Sequence, residues 1–317
     1  MVGVLSPAVT VSVVVPTFNV AGEIARCLAS LQAQTLAALE ILVVDDASAD
    51  GTADVVAAIA AQDPRIRLTR LVQNQGVQHA RFVGVRQARG TYLGFVDGDD
   101  WVEPTMFARL AAAADTHNAD VAVCDAWHER LGQPPQRLLR LPKPLQLESP
   151  AALLQFLIDR RSAVAVWNKL FRRAAWQALV AQQDAQPWPR IDLLEDGLLC
   201  ATVFAGCQRL VYVPEPLYHY LERPGSAMHG LDTARLQRRM THYHAVLAVL
   251  EAERAAHWPV LARFNRQMAA IIYDSVTRDM AKLGVTGAAR RALAVERDAL
   301  FGRRPWIAFK VWLDRWL

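Results

Sequence analysis

Val11-Ser12-Val13-Val14-Val15-Pro16-Thr17-Phe18-Asn19 sets a β-branched run against a proline and a polar exit. Such a run reads as a strand buried on both faces, and Pro16 is expected to end it. Reading outward, Ile24, Cys27, Leu28 and Leu31 recur at helical spacing. A second strand over 41–44 ends at Asp45-Asp46, and Asp50-Gly51-Thr52 opens a helix whose apolar face carries Val55, Val56 and Ile59. A strand over 66–71, a helix over 77–88 closed by Gly90, and a strand over 92–96 ending at Asp97-Gly98-Asp99-Asp100 come next. Another helix (104–116) and strand (121–124) follow. Alternation of this kind predicts right-handed βαβ units and a mostly parallel sheet with helices on both faces.

The chain has 317 residues, 53% of them hydrophobic and 21% charged, which excludes a disordered or fibrous protein. Its net charge of +4 comes from 35 basic and 31 acidic residues, too even for nucleic-acid binding to be the expected activity. The charge is unevenly placed: residues 231–317 hold 15 Lys/Arg against 8 Asp/Glu, whereas residues 1–230 hold 20 against 23. Cys27, Cys124, Cys200 and Cys207 form no CxxC pair and read as buried reduced thiols. No secretory signal pattern and no run of about 18 apolar residues is seen, so the expected location is cytoplasmic.

Ligands of open parallel sheets bind at the carboxyl ends of the strands. Pro16-Thr17-Phe18-Asn19, Asp45-Asp46 and Asp97, Asp99, Asp100 all stand there. A single Asp after a strand is also what a turn or helix cap requires. Five at two strand ends repel one another and call for a positive partner, for which Mg²⁺ or Mn²⁺ suits oxygen ligands. Such a cation completes its shell with phosphate and water, which implies a phosphate-bearing nucleotide. No GxGxxG or GxxxxGK[ST] cradle is present, and His128-Glu129 fails as HExxH because position 132 is Gly.

Residues 13–19, Glu23, residues 43–52, Asn74-Gln75-Gly76, Ala80-Arg81 and residues 90–100 together resemble the opening of family 2 glycosyltransferases. The likeness is close over 11–100 and looser to about 228. It implies the GT-A fold, with Asp97-Gly98-Asp99-Asp100 as the DxD-type metal motif. It also implies a UDP-sugar donor, a Mn²⁺ or Mg²⁺ cofactor, and nucleotide-sugar contacts from Pro16, Thr17, Phe18, Asn19, Glu23, Asp46, Gly76, Arg81, Asp97, Asp99 and Arg223. Pro16 and Phe18 are placed at the base, Asp46 hydrogen-bonds it, and Glu23 reaches the ribose. Asp99 and Asp100 hold the metal, and Arg81 meets the phosphates or sugar, with a surface role as its alternative.

Further along, Val166-Trp167-Asn168-Lys169-Leu170-Phe171 resembles a segment of polysaccharide-type members, and Leu194-Glu195-Asp196-Gly197 resembles the family's Glu-Asp motif. The resemblance makes Asp196 the catalytic base of an inverting enzyme, although both acids would also suit the start of a helix near Gly197. Residues 213–226 resemble the family's tyrosine-rich strand and Arg-x-Gly-Ser turn, with Arg223 or His219 closing over the diphosphate. His229 is a further metal candidate. The Q-x-x-R-W signature of processive synthases is not met at 237–240, so one sugar is transferred per encounter. The implied acceptor is a saccharide, such as a lipid-linked glycan of a bacterial surface polysaccharide. A sugar-phosphate nucleotidyltransferase, or a non-catalytic binding protein of the same fold, are the alternatives.

The domain division expected is a GT-A catalytic domain over 1–228 and a basic helical domain over 229–317; residues 132–150 read as a surface excursion. On a helix, Trp306, Phe309, Trp312, Leu313, Trp316 and Leu317 share one face beside Arg303 and Arg304. That pattern suits an anionic membrane surface and a peripheral position on the inner face of the plasma membrane, or else packing on the protein itself.

Overall fold

The computed structural model describes residues 9–159, 164–191 and 195–223, with residues 245, 246, 248, 249, 278 and 284. Nearly all of the basic rear segment, including His229 and the Trp306 face, lies outside the described residues.

One sheet organises the described chain, in the order β3 (Ile66–Arg70), β2 (Leu39–Asp45), β1 (Val11–Thr17), β4 (Tyr92–Phe95), β9 (Lys169–Arg172), β6 (Val121–Arg130), β10 (Leu210–Glu222), β5 (Trp101–Val102). The first four strands are mutually parallel, as the βαβ pattern requires. Beyond β4 the sheet is mixed: β9 runs antiparallel to both β4 and β6, and β5 antiparallel to β10. The expectation of a mostly parallel sheet therefore holds for the front half. Four-residue β9 and two-residue β5 are too short to carry a readable pattern in the sequence.

β1 is buried along its whole length, and its side chains alternate between two cores. Val14 joins Phe82 and Val85 of α3 (Val77–Gln87), Trp176 of α6 (Ala174–Ala185), Leu153 of α5 (Pro150–Asp159) and Phe204 of α7 (Glu195–Ala205). Val13 and Val15 join Ile24 and Leu28 of α1 (Ile24–Gln32), Val56 of α2 (Thr52–Ala60) and Leu110 of α4 (Met106–Thr116). Trp176 knits the first core, its ring centroid 4.9 Å from Phe95 and 5.5 Å from Phe171. All four cysteines are buried and unpaired.

Two sequence expectations are corrected. Pro16 does not end β1, which runs on to Thr17 with Pro16 opposite Val44. The Val14 carbonyl accepts the Val96 N–H and the Thr17 carbonyl accepts the Asp46 N–H, so Pro16 faces the β4 side, where the ladder has just ended. A missing N–H costs nothing there. Residues 132–150 are likewise more than an excursion: β7 (Gln136–Arg137) pairs with β6, and β8 (Leu145–Leu147) pairs with β10. Fully buried Asp125 secures this return by accepting the N–H groups of Leu139 and Arg140 and pairing with Arg137. Among the described residues no helix is long and apolar enough to cross a membrane.

Candidate active site

The exits of β1 and β2 are stitched to each other. Asn19, Val20 and Ala21 donate their backbone N–H groups to Ser48 Oγ, Thr52 Oγ1 and Asp50 Oδ2, and Asn19 Oδ1 accepts the Ala49 N–H in return. Asn19 and Ala47 adopt left-handed backbone conformations, with φ of 52° and 61°. Pro16 and Thr17 are buried beneath this surface, while Phe18 is 47% exposed at the mouth, where a flat apolar ligand could meet it.

Asp46, expected at the base, is buried and uses both oxygens on the loop after β3. Oδ1 accepts the Gln75 N–H and Oδ2 the Gly76 N–H, each at 2.8 Å. Gly76 has φ of +92°, a conformation that favours glycine, so this loop is shaped by Gly76 and held by Asp46. A carboxylate oxygen has a second lone pair, and a base donor remains compatible with this arrangement.

The acids after β4 fall into two groups. Asp97 joins Glu195 and Asp196 around Arg81, which is 2% exposed inside α3. Arg81 Nη2 lies 3.1 Å from Asp97 Oδ1, and Nη1 lies 3.1 Å from Glu195 Oε1 and 2.6 Å from Asp196 Oδ1. One guanidinium thus links the DxD turn to the acid pair that opens α7, residues distant by about a hundred positions in sequence. The alternative of a surface role for Arg81 is excluded, and both of its Nη atoms are engaged by carboxylates rather than left open for phosphate or sugar. Burial pushes the Asp97 carboxyl up to about 6, with Arg81 pulling it back and Asp196 and Asp99 adding to the rise. Burial, then the charge of Asp196, pushes Glu195 up to about 7 against the pull of Arg81. Arg81 itself is held firmly charged, its three acids outweighing its burial.

Asp99 and Asp100, expected together at the metal, are separated in role. Asp99 is partly exposed, and its Oδ2 accepts from Arg223 Nε at 2.7 Å. Glu23, at the cap of α1, adds its charge to the field around Arg223. Asp100 is 1% exposed, and both of its oxygens are used on β10: Oδ1 by the Leu221 N–H at 2.8 Å, Oδ2 by the Tyr218 hydroxyl at 2.5 Å. Burial, with the charges of Asp99 and Asp97, raises the Asp100 carboxyl well above the carboxylate range. Asp100 thus has both oxygens engaged on β10, which leaves Asp99 the more accessible of the two expected ligands.

His219, the other candidate for the diphosphate, is engaged elsewhere. It stacks on Trp101 with centroids 4.8 Å apart and lies between Glu103 and Glu129. No group of three or more metal-ligating side chains occurs among the described residues. The donors at hand are carboxylate oxygens, which suit a hard divalent cation that takes one or two acids and fills its shell from a diphosphate and water. Glu195 and Tyr218 were not singled out in the sequence as contributors. The Glu-Asp adjacency was the available signal for the first, whereas nothing local marked the second, whose partner is contributed by another strand.

Residues 12–176 match the model of the family described as glycosyl transferase family 2. EpsJ of Bacillus subtilis (strain 168), described as an uncharacterized glycosyltransferase, is 34% identical over 222 residues, covering 68% of this chain and 62% of EpsJ. The chain thus spans about three fifths of that relative's length. ExoO of Rhizobium meliloti (strain 1021), a succinoglycan biosynthesis protein, is 33% identical over 76% of this chain and 67% of its own. In structure, S. aureus TarS in complex with UDP superimposes with a TM-score of 0.59 at 20% identity, covering 86% of this chain and 72% of TarS. The mannosyltransferase PcManGT of Pyrobaculum calidifontis, with GDP-Man and Mn2+, gives 0.54 at 20% identity, covering 94% and 82%. These likenesses bear out the GT-A fold, and the chain belongs to glycosyl transferase family 2.

Proposed function

We propose that this protein is an inverting, non-processive glycosyltransferase that moves one sugar from a UDP-sugar to a saccharide hydroxyl in bacterial surface polysaccharide or glycolipid synthesis. The observation that carries the reading is the Arg81 link, which sets Asp196 beside the DxD turn through a shared cation. Asp196 accepts the proton of the acceptor hydroxyl as its oxygen bonds to the anomeric carbon. The bond from that carbon to the diphosphate breaks on the opposite face, and UDP leaves with the electron pair. A positioned base of this kind contributes roughly 10²–10⁴-fold. Arg81 and the Val166 N–H hold Asp196 in place, and Arg223, paired with Asp99, is assigned to the diphosphate charge.

A Mn²⁺ or Mg²⁺ ion on Asp99, when bound, would offset the charge growing on the leaving diphosphate. Phe18, Asn19, Asp46, Gly76 and Glu23 form the proposed nucleotide side of the pocket. Support for UDP comes from TarS, solved with UDP and with UDP-GlcNAc. Support for a polysaccharide acceptor comes from ExoO. From the sequence we also assign residues 303–317 to contact with an anionic membrane surface.

Release of free nucleoside diphosphate from a panel of nucleotide sugars, with Mn²⁺ and candidate acceptors, tests the reading. UDP-linked donors are expected to turn over, and Asp196→Asn to lose transfer while still binding UDP. Wild-type transfer by that variant overturns the base assignment.

A further inference from the structure

Lys169, at the start of β9, is fully buried. Its ammonium donates to the Ala165 carbonyl and to Asn168 Oδ1, the latter at 2.7 Å. Among the described residues no carboxylate lies within ion-pair distance of it. A buried cation without a counter-ion is far more expensive than a neutral donor, so two hydrogen bonds to neutral oxygens do not account for a lysine here.

The surroundings do account for it. Among the described residues, three acids, Asp97, Glu195 and Asp196, are ion-paired to one shared cation, Arg81, which leaves the cluster short of positive charge. Burial pulls the Lys169 ammonium below the usual lysine range, and Cys200, Asp196 and Cys124 pull it back up, so Asp196 lies in its field. The turn that Lys169 grips also reaches the acid directly: the Val166 N–H points to Asp196 Oδ2 at 3.4 Å, and Cys200 Sγ of α7 lies 3.7 Å from the same Ala165 carbonyl. Asn168 fixes the other side of the turn to β6, its Nδ2 donating to the Cys124 carbonyl at 2.9 Å while its own carbonyl accepts the Cys124 N–H at 3.0 Å. Trp167, between them, stacks on Tyr218 with centroids 4.3 Å apart. One short turn therefore touches both the residue that holds Asp100 and the acid that opens α7.

We propose that Lys169 is a positioning residue for Asp196: its buried charge and its hold on the Ala165 carbonyl keep residues 165–166 against that carboxylate and keep the carboxylate aimed. The inference rests on the reading of Asp196 as the base.

The test uses Lys169→Met, which removes charge and hydrogen bonds, and Lys169→Gln, which keeps a donor for Ala165 and removes the charge. Transfer is followed as UDP release with the donor and acceptor that the wild-type protein uses, and UDP affinity is measured separately with Mn²⁺. Both variants are expected to lose kcat, Lys169→Met on the order of 10²-fold, with UDP affinity unchanged. Combined with Asp196→Asn, Lys169→Met is expected to cause no further loss, since its effect passes through that acid. Wild-type kcat in both variants, a loss that appears in UDP affinity instead, or an equal loss in both backgrounds overturns the proposal. Failure of both variants to fold assigns Lys169 to stability and overturns it too. Wild-type transfer by Asp196→Asn alone defeats the reading of the base, a result separable from any of these.

Discussion

The Tyr218 hydroxyl closes the turn that carries the DxD acids, donating to Asp100 Oδ2 at 2.5 Å while accepting the Asp97 N–H at 3.1 Å. The Asp100 N–H in turn reaches the Asp97 carbonyl at 3.0 Å. The position of Asp99 between them is thus fixed from β10 as well as by the turn's own backbone bond.

Tyr218→Phe leaves the buried Asp100 Oδ2 and the part-buried Asp97 N–H without this partner, at a cost of about 1–3 kcal/mol. Chemical denaturation is expected to show that loss, and UDP titration with Mn²⁺ to show weaker binding through the loosened Asp99. Unchanged denaturation and binding together would mean that the hydroxyl is dispensable.

Arg81→Met removes the cation shared by three acids and is expected to cost about 3–5 kcal/mol, as for any broken buried ion pair. Arg81→Lys is expected to recover only part of this. A single ammonium cannot reproduce the two Nη positions that face Asp97 on one side and Glu195 with Asp196 on the other. Thermal unfolding ranks the three proteins, and transfer activity should fall in the same order. A lysine variant as stable as wild type would contradict the bridging role.

Glu195 gives stability a pH dependence of definite sign. Its carboxyl is raised from 4.5 to about 7 in the folded protein. Between those values the folded state holds the proton more tightly than the unfolded chain, so this contribution is complete below the unfolded value and is lost as pH rises through about 7. Glu195→Gln abolishes that loss. The unfolding temperature of the variant, compared with wild type at pH 5 and pH 8, is expected to be relatively higher at pH 8. The opposite ordering would show that Arg81 dominates Glu195 rather than burial.

Much of this site was legible before any coordinates, for a physical reason. The strands β1, β2 and β4 are parallel and buried on both faces, so their β-branched runs and polar exits repeat in order along the chain and place Asn19, Asp46 and Asp97 at one edge. What lay hidden was contributed across the sheet. Arg81 was expected at the phosphates or sugar, or at the surface, because its acids arrive from β4 and α7, and the hold of Tyr218 and Leu221 on Asp100 spans more than a hundred residues. Lys169 stood in the sequence only as part of the segment 166–171 that resembles polysaccharide-type members; its burial depends on β9 inserting between β4 and β6, which four residues could not announce.

Gly98 separates the two acids of the DxD turn, and its position has no room for a side chain. A Cβ there would stand 2.8 Å from Thr17 Cγ2, 3.2 Å from Val20 Cγ2 and 3.4 Å from Ile24 Cδ1. Those atoms cannot retreat cheaply, because Thr17 ends β1, Val20 is tied to Thr52 Oγ1 and Ile24 is fully buried. The strain of Gly98→Ala therefore falls on the acid turn, which must move away from the nucleotide side of the pocket, at roughly 1–3 kcal/mol for overpacking. UDP affinity in the presence of Mn²⁺ is expected to fall about thirtyfold, which corresponds to the middle of that range. Gly94→Ala serves as the comparison: its Cβ would meet the Phe107 ring at 2.5 Å, inside the core and away from the turn. That variant is expected to lose stability with little change in UDP affinity among the folded molecules. Equal effects of the two substitutions on UDP binding would show that the close packing of Gly98 against β1 does not set the position of Asp99.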